Sequence, residues 1–189
     1  MVELVHGQPA VFLDRDGTIN LDKGYFYRPE DFEFEDGAVE AIRQLNQAGY
    51  KIFVVSNQAG IALGHFNETQ VEALHEWLGA ELGKQEAYID GFYYCPHHAQ
   101  LGVGRYKTVC DCRKPAPGLL LKAAQEWNLD MSRSFMVGDH NSDVEAGRAA
   151  GVRPIFVRTG HGPQEEAKVA ADILKADNLY QAVTQYILV

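Results

Sequence analysis

Candidate strands alternate along this chain with segments of helical periodicity, and this alternation constrains the fold more than any other feature. The candidate strands lie at residues 10–13, 51–55, 92–94, 135–137 and 155–157. Strands separated by helices need crossover connections, which make neighbouring strands parallel. The sequence therefore predicts an α/β fold, a doubly wound parallel sheet with helices on both faces.

The predicted helices follow from apolar residues spaced three and four apart. The first contains Val39, Ile42 and Leu45 and ends before Gly49, which is typical of a C-terminal stop. Asn67 and Gln70 resemble a capping box that opens a second helix, whose apolar face is Val71, Leu74, Leu78 and Leu82. Three further helices are predicted: one that starts at Pro117 and carries Leu120, Leu121 and Ala124, one that ends near Gly151, and a closing helix with Leu179, Val183, Tyr186 and Ile187.

Length and charge limit the classes of protein that fit. The 189 residues, 46% of them hydrophobic, include no linker or repeat, so we expect one domain over residues 1–189. The net charge of −9 without a basic run disfavours nucleic acid and anionic membranes as partners, but it leaves room for a small anionic substrate. No signal-like start and no run of 18 apolar residues occur. We therefore expect a soluble, cytoplasmic monomer.

Polar clusters follow the candidate strands at the positions where parallel sheets bind ligands. Asp14 and Asp16 follow the first strand, Ser56-Asn57-Gln58 the second, and Gly138-Asp139 with Asp143 the fourth, while Arg113-Lys114 precedes a helix. Each cluster alone could be a capped turn or a solvated surface charge. Together they should meet at one edge of the sheet. Carboxylates, a hydroxyl with adjacent amides, and a lysine are the groups that phosphoryl transfer requires, with a divalent cation to relieve the repulsion between the carboxylates.

Three cysteines and a histidine gather in the loop over residues 95–112. Cys95, His97, Cys110 and Cys112 form a closed tetrahedral ligand set for zinc, with His98 as the alternative histidine ligand. A catalytic zinc keeps a position open for water, so this zinc is expected to be structural. Four other histidines have no ligand-like neighbours in the sequence and are expected on the surface or in the core: His6, His65, His75 and His161.

The order of the motifs resembles that of the haloacid dehalogenase superfamily of aspartate-nucleophile phosphatases. The matching positions are Asp14-x-Asp16-Gly17-Thr18, Ser56, Lys114 and Gly138-Asp139-x-x-x-Asp143. The resemblance implies that Asp14 attacks phosphorus and that Asp16 serves as general acid and then as general base. It also implies Mg²⁺ held by the carboxylates of Asp14 and Asp139 and the backbone carbonyl of Asp16, with Ser56 and Lys114 stabilising the phosphoryl group. Asp143 is expected to orient Lys114 or a metal-bound water.

The zinc loop and Cys112-Arg113-Lys114-Pro115 are similar to one branch of that superfamily, the D-glycero-D-manno-heptose 1,7-bisphosphate 7-phosphatases. The similarity implies removal of the 7-phosphate from a small sugar bisphosphate in ADP-heptose and lipopolysaccharide core biosynthesis. It implies sugar contacts from Asn20, Asp22, Lys23, Gly24, Tyr25, Asn57, Gln58, Ala59 and Arg113. The branch often has a lysine where this chain has His140, so a substrate contact at His140 could depend on pH.

Two alternatives remain open from the sequence. Histidinol-phosphate phosphatase shares the motifs and the zinc loop, and the spacing does not separate the two substrates. A non-catalytic, zinc-stapled binding module predicts loss of a motif residue, yet Asp14, Asp16, Lys114 and Asp139 are all present. The short connection between the first two strands leaves no room for a large cap domain, so we expect an open crevice roofed by short loops.

Overall fold

The computed structural model describes residues 7–189 as a six-stranded parallel sheet with helices on both faces. His6, one of the histidines discussed above, lies outside the described residues. The strands are β1 Ala10–Leu13, β2 Lys51–Asn57, β3 Gly91–Cys95, β4 Phe135–Gly138, β5 Arg153–Val157 and β6 Leu174–Ala176. The α-helices are α1 Ala38–Gln47, α2 Ala59–Leu63, α3 Glu68–Gly83, α4 Gly118–Trp127, α5 Asn141–Ala150, α6 Gly162–Glu165 and α7 Leu179–Ala182.

The strand order places a topological switch point beside β1. The order is β3-β2-β1-β4-β5-β6, and every pairing is parallel. The chain therefore runs outward from β1 to β3 and then returns to add β4 on the other side of β1. Because ligands bind outside the carboxyl ends of strands where the order reverses, the ends of β1 and β4 should form a crevice.

The burial of β1 explains why the sheet needs helices on both faces. All four residues of β1 are completely buried, and their side chains alternate between two apolar clusters. Val11 and Leu13 pack with residues of α1 and α7, such as Ile42 and Leu179. Ala10 and Phe12 pack on the opposite face with residues of α4 and α5: Leu119, Leu120, Ala123, Ala146 and Ala150. The predicted doubly wound sheet is confirmed.

Most predicted elements are present, with three differences. The capping box at Asn67 is confirmed: its Oδ1 accepts from the amide of Gln70 at 3.0 Å, and the Gln70 side chain accepts from the amide of Asn67 at 2.9 Å. The buried face of α4 is shifted by one residue, so that Leu121 is 47% exposed. The closing helix continues from α7 as a π-helical segment, Val183–Ile187. The short strand β6 and the short helices α2 and α6 were not predicted.

The connection between β1 and β2 contains α1, the short 3₁₀ helix Pro29–Asp31 and an antiparallel bridge between Asn20 and Phe34. The expectation of no large cap domain is therefore confirmed. Within residues 7–189, none of the helices combines the length and the apolar character needed to cross a bilayer.

Candidate active site

A crevice of about 640 Å³ opens at the carboxyl ends of the strands around the switch point. Asp14 and Asp16 enter it from the end of β1, Ser56 from β2, and Asp143 from the first turn of α5 after β4. Lys114 reaches it from the loop that precedes α4. The four motif clusters that the sequence places at strand ends thus meet in one crevice.

Lys114 joins two of the carboxylates at the floor of this crevice. It is 3% exposed, and its Nζ lies 2.8 Å from Asp14 Oδ1 and 2.6 Å from Asp143 Oδ1. Nζ also donates to the backbone carbonyl of Val55 at 2.7 Å. Burial opposes the charge on Lys114, but the two carboxylates outweigh it and raise its pKa above the usual value. The lysine therefore stays charged and holds Asp14 in place.

The single positive charge of Lys114 does not neutralise the three carboxylates of Asp14, Asp139 and Asp143. Burial, together with the charge of Asp143, raises the pKa of Asp14 to about 6 despite the neighbouring Lys114. Burial and the charge of Asp14 also raise the pKa of Asp139, which is completely buried. The three carboxylates and Lys114 carry a net charge of about −2 when all are ionised, which a divalent cation would neutralise. Oxygen donors of Asp14 and Asp139 lie within 4.8 Å of each other, so the donor set fits a hard cation such as Mg²⁺.

Asp16 is held by several donors rather than by Lys114. The Arg15 guanidinium contacts both of its oxygens at 2.9–3.2 Å, Asn20 Nδ2 donates to Oδ1 at 3.1 Å, and Gln58 Nε2 donates to Oδ2 at 3.0 Å. Burial would raise the pKa of Asp16, but Arg15 and these hydrogen bonds hold it below its usual value. Asp16 is therefore a fixed, ionised carboxylate in this structure.

The end of β2 supplies side chains that hold other residues of the site. Gln58 Nε2 also donates to Ser56 Oγ at 2.8 Å, and both residues are buried. The side chain of Asn57 makes two hydrogen bonds of 3.0 Å to the backbone of Lys114, one donated and one accepted. Both polar atoms of the Asn57 side chain are thus used inside the protein, so its role in this structure is to position Lys114.

Asp139 lies between two histidines. Its Oδ1 is 3.0 Å from His140 Nδ1, and its Oδ2 accepts from the backbone amide of His161 at 2.7 Å. The hydrogen bond to Asp139 raises the pKa of His140 to about 9, so His140 is positively charged at neutral pH, as a lysine would be. A Cβ on Gly17 would lie 2.4 Å from Asp139 Oδ2, which explains why glycine is needed at this turn.

The proposed zinc ligands converge as expected. Five of the six pairs of donor atoms of Cys95, His97, Cys110 and Cys112 lie 2.9–3.8 Å apart, and the histidine faces the thiols through Nδ1. The cysteines form no disulfide. His98 points elsewhere, because its Nδ1 accepts from the amides of Gln100 and Leu101. The set of three thiols and one imidazole fits zinc, and His98 is not part of it.

The sugar contacts expected from the resemblance fall into two groups. Asp22, Gly24, Tyr25, Asn57, Gln58, Ala59, Arg113 and His140 line the crevice. Asn20 and Lys23 do not: Asn20 is buried against Asp16, and Lys23 forms an ion pair with Glu33 at 2.9 Å. The structure therefore gives Asn20 a supporting role and leaves Lys23 outside the crevice.

Comparisons with known proteins decide the family. A HAD-hydrolase-like family model matches residues 111–182. The D-glycero-beta-D-manno-heptose-1,7-bisphosphate 7-phosphatase of Escherichia coli K12 is 50% identical over 165 residues, which are 87% of this chain and 86% of the relative. The chain belongs to this phosphatase family. The Salmonella typhi member is 49% identical, with coverage of 87% and 88%.

Solved structures of this phosphatase family have the same fold. The D,D-heptose 1.7-bisphosphate phosphatase from B. bronchiseptica, complexed with magnesium and phosphate, matches with a TM-score of 0.85 and 28% identity over 96% of this chain and 99% of that one. The enzyme from Burkholderia thailandensis matches with a TM-score of 0.71 and 27% identity over 95% and 99%. As a member of the family, this chain is a phosphatase, a hydrolase of phosphoric monoesters.

Sequence reasoning missed His161. It was expected on the surface or in the core, without ligand-like neighbours. It is exposed, but the second part of the expectation is wrong: His161 lines the crevice, and its Nδ1 lies 3.1 Å from Asp22 Oδ2. His161 follows the end of β5, so the rule that sites form at the carboxyl ends of strands could have found it. His65 stacks on Tyr25, which lines the crevice, with ring centroids 4.7 Å apart; no local pattern in the sequence indicates this contact.

Proposed function

We propose that this protein removes the 7-phosphate of D-glycero-β-D-manno-heptose 1,7-bisphosphate through an aspartyl-phosphate intermediate. The observation that carries the proposal is the Asp14 carboxylate, which Lys114 holds at 2.8 Å on the floor of a crevice large enough for a sugar bisphosphate. The substrate named for the relatives at 49–50% identity supports this choice. A place in ADP-heptose and lipopolysaccharide core biosynthesis is part of the same proposal.

In the first half-reaction an oxygen of Asp14 attacks phosphorus. Oδ1 is fixed by Lys114 Nζ and by the backbone amide of Arg15, each at 2.8 Å. Oδ2 accepts no hydrogen bond within residues 7–189 and is the oxygen we assign to the attack. The bond between phosphorus and the oxygen on C7 breaks, and that oxygen takes a proton from Asp16 as it leaves. Asp16 must therefore be protonated in the substrate complex, where the bound phosphate dianion disfavours its negative charge.

In the second half-reaction Asp16, now ionised, accepts a proton from the water that attacks the phosphoryl group. The acyl-phosphate bond breaks, Asp14 is regenerated as a carboxylate and inorganic phosphate is released. The donors from Arg15, Asn20 and Gln58 favour the ionised form of Asp16, which this step requires. The geometry of Asp16 therefore suits the base more directly than the acid.

The charge of the phosphoryl group needs compensation on several sides. The carboxylates of Asp14 and Asp139, with the backbone carbonyl of Asp16, would hold Mg²⁺. When bound, Mg²⁺ supplies positive charge between the anionic nucleophile and the phosphate. Lys114 and the hydroxyl of Ser56 would bind the non-bridging oxygens. We infer that Asp143 keeps Lys114 aimed at this position, because the two side chains are 2.6 Å apart.

The rest of the crevice suits a sugar with a second phosphate. Arg113 lines it, and its Nη1 donates to the carbonyl of His97 at 3.1 Å, which fixes the guanidinium beside the zinc loop. A planar guanidinium binds phosphate through two parallel hydrogen bonds. Asp22 and Tyr25 offer polar and aromatic contacts for the sugar, and His140 a second positive charge. We propose that Arg113 binds the phosphate that is not removed.

Side-by-side kinetics test the substrate. We expect kcat/KM for heptose 1,7-bisphosphate to exceed that for histidinol phosphate by at least about tenfold, because histidinol phosphate has no second phosphate for Arg113 to bind. Phosphate release is measured under identical Mg²⁺ concentrations. Heptose 7-phosphate is the control that lacks only the second phosphate. A larger kcat/KM for histidinol phosphate would contradict the assignment.

We propose that zinc, bound by Cys95, His97, Cys110 and Cys112, staples the loop that leads to Arg113 and Lys114. The donor set leaves no open position for water, so the metal is assigned a structural role. Two residues of the phosphate-binding machinery follow Cys112 directly, and the carbonyl of the ligand His97 holds Arg113. Loss of the metal should therefore disturb substrate binding as well as stability.

The substitution Cys112→Ser tests this staple. We expect zinc content to fall well below one ion per chain, the melting temperature to drop by roughly 5 °C or more, and KM for the bisphosphate to rise. Metal content is measured by mass spectrometry, alongside thermal unfolding and steady-state kinetics. Val109→Ser, at a position that is 84% exposed in the same loop, is the matched control and should keep its zinc. Full zinc content in Cys112→Ser would contradict the ligand assignment.

We further propose that the protein acts as a single-domain monomer in the cytoplasm, without a nucleic-acid partner. Three clustered cysteines that form no disulfide suit a reducing compartment, and the net charge of −9 disfavours a polyanion.

A further inference from the structure

Arg15, between the two motif aspartates, is one of the most buried charged side chains in the described chain. It is 1% exposed, and its guanidinium lies over the ring of Phe26 at 5.4 Å. Nε and Nη2 contact the carboxylate of Asp16 at 2.9–3.2 Å. A buried guanidinium needs an acceptor for each of its donors, and Nη1 is turned away from Asp16.

The acceptor for Nη1 is His75, in the middle of α3. Arg15 Nη1 lies 3.2 Å from His75 Nε2, and His75 is 4% exposed. Because a guanidinium only donates, Nε2 must present its lone pair, so the ring proton is on Nδ1 and the imidazole is neutral. Burial and the charge of Arg15 lower the pKa of His75 to about 3, which agrees with a neutral ring.

Packing fixes the plane of the His75 ring. The ring stacks on Phe92 of β3 with centroids 4.9 Å apart and an angle of 16° between the planes, and Tyr94 lies edge-on at 5.9 Å. A ring held in this way presents Nε2 in one direction only. His75 is thus a rigid acceptor at the far side of the Arg15 guanidinium from Asp16.

We propose that His75 is a positioning residue for the reaction, because it locks the Arg15 guanidinium that in turn holds the Asp16 carboxylate. The proposal rests on the proposed role of Asp16 as general acid and base. Without an acceptor at Nε2, Arg15 can turn about its side-chain bonds, and Asp16 loses its fixed direction. A misplacement of about 1 Å at such a group can lower a rate by roughly a hundredfold.

Substrates with different leaving groups distinguish a positioning role of His75 from a merely structural one. An alkoxide leaving from a sugar phosphate needs a proton from Asp16 in the transition state, whereas p-nitrophenolate leaves without one. Misplacing Asp16 should therefore slow phosphoryl transfer from an alkyl phosphate much more than from p-nitrophenyl phosphate. General loosening of the crevice would slow both substrates by a similar factor.

The test compares His75→Leu, which has no acceptor, with His75→Gln, whose Oε1 can take the place of Nε2. For His75→Leu we expect kcat/KM on heptose bisphosphate to fall by roughly ten- to a hundredfold, while kcat/KM on p-nitrophenyl phosphate falls by less than about threefold. The comparison uses kcat/KM because this parameter reports the steps through formation of the aspartyl-phosphate, whereas kcat also includes its hydrolysis, which uses Asp16 for both substrates. His75→Gln should recover most of the loss on the alkyl substrate. Glycerol 3-phosphate, assayed alongside, keeps the comparison valid if heptose bisphosphate is not the substrate.

Equal losses on the alkyl and aryl substrates in His75→Leu, or equal behaviour of the Leu and Gln variants, would overturn the proposal. If His75→Leu does not fold, as judged by its thermal transition, His75→Asn replaces it, because the shorter amide does not reach Arg15. Failure of the proposed function would give a different result: the parent would hydrolyse glycerol 3-phosphate but not heptose bisphosphate. The loss of kcat/KM on glycerol 3-phosphate relative to that on p-nitrophenyl phosphate would then still decide the role of His75.

Discussion

Asp14→Asn should lower phosphate release from heptose bisphosphate by at least about 10⁴-fold, the largest loss of activity expected for any single substitution here. An amide is a far weaker nucleophile than a carboxylate, and in the proposed mechanism Asp14 is the residue to which the phosphoryl group is transferred. Steady-state release of phosphate with Mg²⁺ measures the loss on both heptose bisphosphate and p-nitrophenyl phosphate. Both substrates should be affected, because the attack on phosphorus is common to them.

The same variant should remain folded. Burial and Asp143 raise the pKa of Asp14 to about 6, so removing its negative charge should not destabilise the protein near pH 7. The melting temperature is measured in parallel, and Asp36→Asn, at an exposed position, serves as a control that keeps full activity. Equal and negligible turnover in the parent and in Asp14→Asn would favour the alternative of a non-catalytic binding module.

The sequence predicts the convergence at this site because it is governed by backbone topology. Alternation of strands and helices implies a parallel sheet, and residues that follow parallel strands must lie at one edge of it. Asp14, Ser56 and Asp143 could therefore be placed together without coordinates. The cluster of three cysteines and His97 was equally accessible from the sequence, because its members lie in one loop and their chemistry is typical of zinc ligands.

Contacts between side chains from distant elements were beyond sequence reasoning. The hydrogen bond between Arg15 and His75 joins residues 60 positions apart, and it depends on how the face of α3 is rotated against β3. The pairing of Asn57 with the Lys114 backbone depends in the same way on the path of a long loop. No rule of sequence spacing predicts either contact. The short strand β6 was missed because three residues with a central lysine show too little alternation to indicate a strand.

Lys114→Met should lower the free energy of unfolding by about 3–5 kcal/mol near pH 7.5, since two buried carboxylates lose their shared cation. Asp14 and Asp143 lie 2.8 and 2.6 Å from Nζ, and methionine fills a similar volume without charge. Urea unfolding in buffer without Mg²⁺ measures the change, because a bound divalent cation would replace part of the lost charge. Lys122→Met, at a lysine that is 61% exposed on α4, is the matched control and should differ by less than about 0.5 kcal/mol.

The pH dependence of this loss has a definite sign. In the parent, the folded-state pKa of Asp14 is about 6, above its ordinary value of 3.8. Between these two pH values Asp14 is protonated in the folded state but ionised in the unfolded state, so the free energy of unfolding falls as the pH rises through about 6. Without Lys114 the folded-state pKa of Asp14 rises further, because a favourable charge has been removed. Below pH 6 both proteins carry a protonated Asp14 when folded, so this part of the difference disappears. The destabilisation should therefore be smaller at pH 5 than at pH 7.5, and a loss that is equal at both values would show that lost packing, not charge, is its cause.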